Sequence, residues 1–342
     1  MDRFEPLFRR ACAIASLHRP HPNPRVGALV VSPEGVILGE GAHVEPGTPH
    51  AEPLALAAAG VMAKGATMVV TLEPHAHFGR TPPCTDAIIE AGITRVVVGR
   101  RDPNPEVSGK GVDRLKAAGI EILEPSSEAV LRLDPGYFHR WEKGLPRVTL
   151  KTASTLDGQT ATATGQSRWI TSEAARRDVH RLRSESDGVM IGAGTVIHDD
   201  PVLDVRIPGF EGKQPRPVIV AGEREIPDRA KIWNRDPVVL SRRPLGKNDE
   251  IICEDLEQGL RGLIRLGLFD ILAEGGASLN RSLISGGLVA EGVSFIAGAV
   301  AGGTGLGVFA GSFGELSSML RVEIVDVARF GPDLRVRWIP EP

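Results

Sequence analysis

Residues 71–84, TLEPHAHFGRTPPC, connect a predicted strand over residues 66–72 to a predicted helix over residues 85–91. The connection carries two candidate metal ligands, His75 and Cys84. Cys84 comes at the start of the helix, where the helix dipole favours the thiolate form of a cysteine. The stretch therefore predicts an α/β domain in which one loop between a strand and a helix supplies half of a zinc site.

The second half of this candidate site comes from His50-Ala51-Glu52, which opens a predicted helix over residues 52–59. Pro53 is tolerated there because it falls in the first helical turn. A site that activates water on zinc needs three protein ligands, an open position and a carboxylate that carries protons without binding the metal. His50 offers the imidazole and Glu52 the carboxylate. The H-x-E motif alone is weak evidence, because it occurs by chance in many proteins.

Strand-like and helix-like segments alternate along the whole chain, which favours sheets covered by helices. Residues 134–147, DPGYFHRWEKGLPR, interrupt this rhythm with Pro, Gly and aromatic residues, and we place a domain boundary there. The predicted domains are residues 1–145 and 146–342. The predicted strands span residues 26–31, 36–44, 66–72, 95–98, 120–123, 148–155, 188–191, 217–220, 237–240, 269–273, 321–330 and 334–339, and the predicted helices span residues 4–17, 52–59, 85–91, 112–118, 172–184, 256–266 and 278–284.

Composition excludes several classes of protein. The net charge of −3 shows no basic excess of the kind that nucleic-acid binding requires, and no apolar run is long enough to cross a membrane. The 3 cysteines are widely spaced and odd in number, which argues against a disulfide framework. We expect a cytoplasmic protein with a small-molecule partner. A homo-oligomer is left open.

Several linked motifs resemble the bifunctional deaminase–reductase family of riboflavin biosynthesis. The first half carries PNPRVGALVV, HAE, TLEP-x-x-HFGRTPPCTDAIIEAG and RDPNP, and the second half carries LKTASTLDGQTAT, GQSRWIT, IGAGTVIHDDP and LAEGGASL. The resemblance implies a cytidine-deaminase-like α/β/α domain followed by a dihydrofolate-reductase-like α/β domain. It also implies Zn²⁺ and NADPH as cofactors, and a phosphorylated aminopyrimidine that is first deaminated and then reduced in its ribosyl chain.

The resemblance assigns a role to individual positions of this chain. Zinc would be held by His50, His75 and Cys84, with Glu52 as the acid–base group and Asn23 on the pyrimidine. In the second half, the substrate would meet Ser167, Arg183, Leu203, Arg206 and Glu274, and NADPH would meet Ala153, Trp169, Thr195, Asp199 and Gly276. The forked, permanently charged donors of the two arginines suit a phosphate. Residues 192–195, GAGT, are predicted as a tight turn whose backbone can approach a phosphate.

The chain also departs from the family pattern. His75 stands where the family has cysteine, Gln159 replaces a basic residue, Asp204 is an added carboxylate, and Gly298-Ala299 replaces Pro-Lys. Imidazole is an acceptable zinc ligand, but its donor atom lies further from the backbone. Two alternatives therefore stay open: a reductase with a zinc-poor, inactive first domain that serves as a scaffold, and a binding protein built from two inactive enzyme domains.

Overall fold

In the computed structural model, which describes residues 3–303, 305–311, 314–315, 317 and 319–341, the chain divides into two units, Met1–Lys143 and Gly144–Pro342. The first unit contains one five-stranded sheet with the order β2-β1-β3-β4-β5. Its elements are α1 (Glu5–Ala15), β1 (Gly27–Val31), β2 (Ile37–Ala42), α2 (Ala51–Ala59), a 3-10 turn (Gly60–Ala63), β3 (Thr67–Val70), α3 (Cys84–Glu90), β4 (Arg95–Val98), α4 (Lys110–Ala117), β5 (Glu121–Leu123), α5 (Glu128–Leu131) and α6 (Pro135–Lys143).

Alternation along the strands gives this sheet two buried faces. On β1, Ala28 and Val30 pack with the residues of α2, α3 and α4. Leu29 and Val31 point to the opposite face, where α1 and α5 cover them. The first unit is therefore a three-layer α/β/α domain, as predicted.

The second unit is built on a nine-stranded sheet with the order β11-β10-β9-β8-β12-β6-β13-β16-β15. The seven strands from β11 to β13 are parallel to one another, and β16 and β15 add two antiparallel strands beside β13. Its elements are β6 (Arg147–Thr155), β7 (Gln159–Ala161), α7 (Glu173–Ser184), β8 (Gly188–Gly192), α8 (Ala193–Asp199), β9 (Arg216–Gly222), a 3-10 helix (Lys231–Arg235), β10 (Val238–Ser241), β11 (Glu250–Ile252), α9 (Leu256–Arg265), β12 (Asp270–Ala273), α10 (Ala277–Ser285), β13 (Glu291–Ala297), β14 (Leu306–Gly307), β15 (Val322–Phe330) and β16 (Asp333–Pro340).

Two sequence predictions are corrected by the structure. The segment 134–147 was placed outside the predicted helices, but α6 begins there at Pro135, a position where proline costs no helical hydrogen bond. Its aromatic residues Tyr137 and Phe138 are buried. Residues 192–195 form the start of α8 rather than a tight turn, and Gly192 is its N-cap with an ordinary φ of −83°. Among the residues that the structure describes, no helix is long and apolar enough to span a membrane.

Candidate functional site

The three predicted metal ligands are brought together in the first unit by two helix starts and one loop. His50 is the N-cap of α2, Cys84 is the first residue of α3, and His75 lies in the loop between β3 and α3. A glycine on β2 allows α2 to approach closely, because a Cβ on Gly41 would lie 2.2 Å from the carbonyl oxygen of Ala51. Local packing therefore fixes where the ligand His50 begins its helix.

One distance between these donors matches a tetrahedral zinc ion. The ligand atoms of His50, His75 and Cys84 all lie within 4.8 Å of one another, and Cys84 Sγ is 3.5 Å from His50 Nδ1. A tetrahedral angle between a Zn–S bond of about 2.3 Å and a Zn–N bond of about 2.0–2.1 Å separates the donors by about 3.5 Å. The other nitrogen of His50 is 3.4 Å from the Thr81 hydroxyl, an outer contact that orients the ring.

Two buried polar atoms beside this cluster have no partner among the described residues, namely Nδ1 of His75 and Oε2 of Glu52. Buried polar groups are normally hydrogen-bonded, so both atoms point to a missing group. Burial lowers the pKa of His50 to about 4, which keeps its imidazole neutral and able to coordinate a metal. Burial raises the pKa of Glu52 to about 7, the range that suits a group exchanging protons near neutral pH.

Without a bound cation, Cys84 is the one of the three ligands whose metal-binding form, the thiolate, is disfavoured. Burial raises the pKa of its thiol, and the nearby Glu52 raises it further. A bound zinc ion has the opposite effect, because it deprotonates a coordinating thiol outright. The donor set of two imidazoles and one thiol therefore fits zinc, and His75 lies within 4.8 Å of the other two donors in spite of its departure from the family's cysteine.

The cluster opens into a cavity of ≈ 320 Å³. The predicted substrate contact Asn23 lines it, and its amide Nδ2 donates a hydrogen bond to Nε2 of His43 at 3.0 Å. His43 in turn lies 3.4 Å from the carbonyl of Pro49 through Nδ1, and its ring centroid is 4.8 Å from that of His50. Sequence reasoning missed His43, which follows β2 directly and is only 2% exposed.

A second residue that sequence reasoning missed is Glu73, a buried carboxylate in the TLEP motif. Its two oxygens accept hydrogen bonds from the backbone N–H groups of Asp102 (3.3 Å), Gly109, Gly111 and Val112 (each 3.1 Å). These donors precede or begin α4, so Glu73 caps that helix from another part of the chain. Because Glu73 is followed by Pro74 and His75, it also ties the metal-ligand loop to the cavity wall.

We expect Gly111→Ala to damage the metal centre from a distance. A Cβ at this position would lie 1.8 Å from the carbonyl oxygen of Pro74, so either α4 or the His75 loop must move. Overpacking of this kind costs about 1–3 kcal/mol of unfolding free energy, and the shift should also lower zinc affinity. Thermal unfolding and zinc titration measure the two effects. Gly303→Ala is the matched control, because its Cβ meets no described residue within 4 Å, and an unchanged Gly111→Ala protein would contradict the packing account.

In the second unit, the structure joins two predicted substrate residues, Arg183 on α7 and Glu274 after β12. Arg183 donates to Glu274 through Nε at 2.6 Å and Nη2 at 3.0 Å, and through Nη1 to the carbonyl of Asp204 at 3.0 Å. Burial raises the pKa of Glu274, but the charge and hydrogen bonds of Arg183 outweigh it and bring the pKa down to about 2. Sequence reasoning missed Lys151 on β6. Burial lowers the pKa of Lys151 below its ordinary value, and the neighbouring Glu274 offsets only part of this effect.

The other predicted residues of this half come from several different elements and loops. Leu203 is buried with a left-handed φ of 59°, and the exposed Arg206 lies 3.5 Å from the added carboxylate of Asp204. Ala153 lies on β6, Thr195 on α8 and Gly276 at the N-cap of α10. Ser167, Trp169 and Asp199 lie at the surface, and Trp169 is 68% exposed with Arg176 stacked over its ring.

The departures at Gln159 and residues 298–299 fall around one loop. Gln159 donates from Nε2 to the carbonyl of Asp157 at 3.4 Å. Asp157 accepts hydrogen bonds from the backbone of Ala301 and Gly302, and Leu156 N donates to the carbonyl of Ala299. The loop after β13 is therefore tied to the turn after β6 without a basic side chain.

The fold and the metal cluster define a zinc-dependent deaminase domain followed by a reductase domain. The family model described as the cytidine and deoxycytidylate deaminase zinc-binding region matches residues 1–100, and the RibD C-terminal domain matches residues 146–336. The chain belongs to the RibD family of riboflavin biosynthesis enzymes, which are deaminases and reductases. Because both models match, the two-activity interpretation holds over the reductase-only alternative, and the expected cofactors, zinc and NADPH, are confirmed.

Several relatives match along nearly the whole chain. The riboflavin biosynthesis protein RibD of Aquifex aeolicus is 43% identical over 328 residues, which cover 92% of this chain and 91% of the relative. A RibD structure from Acinetobacter baumannii is similar with a TM-score of 0.91 at 37% identity and covers 99% of both chains. A Thermotoga maritima structure, named as a diaminohydroxyphosphoribosylaminopyrimidine deaminase and 5-amino-6-(5-phosphoribosylamino)uracil reductase, has a TM-score of 0.90 at 34% identity, covering 99% of each.

Proposed function

We propose that this chain deaminates a diaminohydroxypyrimidine ribosyl phosphate and then reduces its ribosyl chain to a ribityl chain with NADPH. The deaminase would occupy residues 1–145 and the reductase residues 146–342. The observation that carries the first step is the cluster of His50, His75 and Cys84 beside Glu52, whose buried Oε2 has no partner among the described residues. A cytoplasmic location is part of the proposal, because all three cysteines are free and buried.

In the first step, His50, His75 and Cys84 would hold the metal, and Glu52 would move the protons. Bound zinc supplies a Lewis acid that makes water nucleophilic near neutral pH. Glu52, whose pKa is raised to about 7 by burial, takes a proton from the attacking water and returns protons to the departing nitrogen. The ring carbon gains an oxygen and loses its amino group as ammonia. Asn23, held by His43, would orient the pyrimidine.

In the second step, the residues around the carboxyl end of β12 would bind the substrate. NADPH supplies the hydride, so the protein's task is to align the two reacting groups. Glu274 and Arg183 form a rigid, paired unit there, with Lys151 beside it. Arg206 would offer an exposed guanidinium to the substrate phosphate, since that of Arg183 is bonded to Glu274 and Asp204. Ser167 and Leu203 would complete this substrate site, and Ala153, Trp169, Thr195, Asp199 and Gly276 the cofactor site.

A two-stage assay tests the proposal. Zinc-loaded protein should release ammonia from the diamino substrate and should then oxidise NADPH at 340 nm when the deaminated product is supplied. Release of ammonia without NADPH oxidation would reject the second step. NADPH oxidation without ammonia release would instead favour an inactive first domain.

A further inference from the structure

The candidate metal donors of the first unit include a single sulfur atom. Among the described residues, His50, His75 and Cys84 offer ligand atoms that all lie within 4.8 Å of one another. We propose that this set of two imidazoles and one thiolate selects zinc less strongly than a site with two thiolates does, so that the centre also takes Co²⁺ and Fe²⁺. The inference rests on the zinc ligands of the proposed deaminase and adds the class of cation that they accept.

The other cysteines of the chain lie in cores away from this cluster. Cys12 belongs to the core between the first sheet and α1, on the face opposite to α2 and α3. Cys253 belongs to the core of the second unit. The described residues that line the cavity beside the cluster include neither cysteine nor methionine. Of the 3 cysteines in the chain, Cys84 is therefore the one that can supply sulfur to the metal.

Two imidazole nitrogens complete the donor set. Nδ1 of His50 is 3.5 Å from Cys84 Sγ, and the other nitrogen of this ring is 3.4 Å from the Thr81 hydroxyl. Nδ1 of His75 is buried and has no partner among the described residues. The rings of His50 and His75 are tilted by 48° with their centroids 4.6 Å apart, so they are not stacked face to face. The two Nδ1 atoms are therefore the nitrogen donors in our proposal.

A third imidazole beside the cluster is already engaged elsewhere. The ring centroid of His43 is 4.8 Å from that of His50. However, Nε2 of His43 is 3.0 Å from the amide nitrogen of Asn23, and its Nδ1 is 3.4 Å from the carbonyl oxygen of Pro49. The donor set therefore stays at two imidazoles and one thiolate, which leaves the fourth position of a tetrahedral ion for water.

The chemistry of these donors explains the wider choice of cation. Thiolate is a soft ligand that selects zinc among the divalent first-row metals. Imidazole suits iron, nickel and copper as well as zinc, so a site with an imidazole in place of a second thiolate loses part of this selection. Which cation occupies such a site then depends more on the supply of each metal. Co²⁺ is the most useful probe, because it accepts the tetrahedral geometry of zinc and its bonds to sulfur absorb light.

The test is a competition between two cations for the metal-free full chain. Wild type and His75→Cys are each given Zn²⁺ and Co²⁺ in a range of ratios, freed of unbound metal and analysed for both elements. We expect the preference for Zn²⁺ over Co²⁺ to be about tenfold weaker in the wild type, because the variant gains a second thiolate. Cys84→His, which has no thiolate, should shift further towards Co²⁺. Cys253→Ala is the matched control and should keep the wild-type preference, since this cysteine lies in the second unit.

Light absorption by the cobalt-loaded proteins counts the sulfur ligands independently. The charge-transfer band from sulfur to cobalt should be about half as intense in the wild type as in His75→Cys, because the wild type supplies one thiolate instead of two. The band should be absent from Cys84→His.

Each other outcome has a defined meaning. A wild type with the same preference as His75→Cys, or with a charge-transfer band of the same intensity, would overturn the inference and leave the zinc ligands of the proposed deaminase in place. A wild type that holds neither cation would overturn those ligands as well. Thermal unfolding and NADPH oxidation by the second unit show whether each variant is intact. If His75→Cys fails to fold, Cys84→His decides the question, and a wild-type preference in that variant would overturn the inference.

Discussion

Replacing Glu52 by glutamine should lower the rate of deamination by about 10²- to 10⁴-fold, because the amide keeps the shape of the side chain but cannot take up a proton. Glu52 is 3% exposed, and its Oε2 has no partner among the described residues, so this oxygen is not held by another group. Ammonia release under saturating substrate measures the effect. The reductase rate of the same polypeptide should not change, which provides an internal control.

The zinc content separates the role of Glu52 from that of a ligand. Because Glu52 is assigned to proton transfer and the metal to His50, His75 and Cys84, the Glu52→Gln protein should bind as much zinc as the wild type. Loss of zinc in this variant would make Glu52 a part of the metal site. An unchanged rate of deamination would remove it from the mechanism.

The second large effect concerns the buried ion pair of the reductase domain. The side chains of Arg183 and Glu274 are only 12% and 11% exposed, so Glu274→Gln leaves a buried guanidinium without its counter-charge. We expect a loss of about 3–5 kcal/mol in the free energy of unfolding. Calorimetry of the full chain measures it in the transition that NADPH shifts to higher temperature. Glu257→Gln, which removes an exposed partner of Arg261, should cost less than about 1 kcal/mol.

The same pair predicts how stability depends on pH. Arg183 lowers the pKa of Glu274 from 4.5 in the ordinary case to about 2 in the folded protein. A depressed pKa means that the folded state binds fewer protons, so the stabilisation is present above pH 4.5 and is lost as the pH falls towards 2. In the Glu274→Gln protein, the unfolding free energy of the reductase domain should therefore fall less steeply as the pH is lowered through this range. An acid limb identical to that of the wild type would show that Glu274 does not carry the effect.

The sequence predicted the metal centre well because its parts are local. H-x-E at one helix start and Cys at another are short motifs whose geometry follows from the helices themselves, and the structure brings His50, His75 and Cys84 together as expected. The partners that sequence reasoning missed are held by long-range contacts. Glu73 bonds to N–H groups far along the chain, and His43, which follows β2, bonds to Asn23, which precedes β1.

Errors in the fold prediction have local physical causes. Helix α6 was missed because its sequence carries Pro135 and Gly136, although proline is favoured at the first position of a helix. The start of α8 was predicted as a turn because Gly192 and Gly194 come directly after a strand, whereas Gly192 has an ordinary extended conformation and caps the helix. The pairing of Arg183 with Glu274 could not be predicted from local sequence, because Arg183 lies on α7 and Glu274 follows β12.

Zinc analysis of the wild type and of His75→Ala tests most directly whether an imidazole at position 75 completes the metal centre. Both proteins are stripped of metal, supplied with equal zinc, freed of unbound metal and measured for zinc per chain. We predict about one zinc ion per wild-type chain and a large loss in His75→Ala, with His75→Cys retaining the ion. A wild-type chain that holds no zinc, or a His75→Ala chain that holds as much as the wild type, would contradict the account.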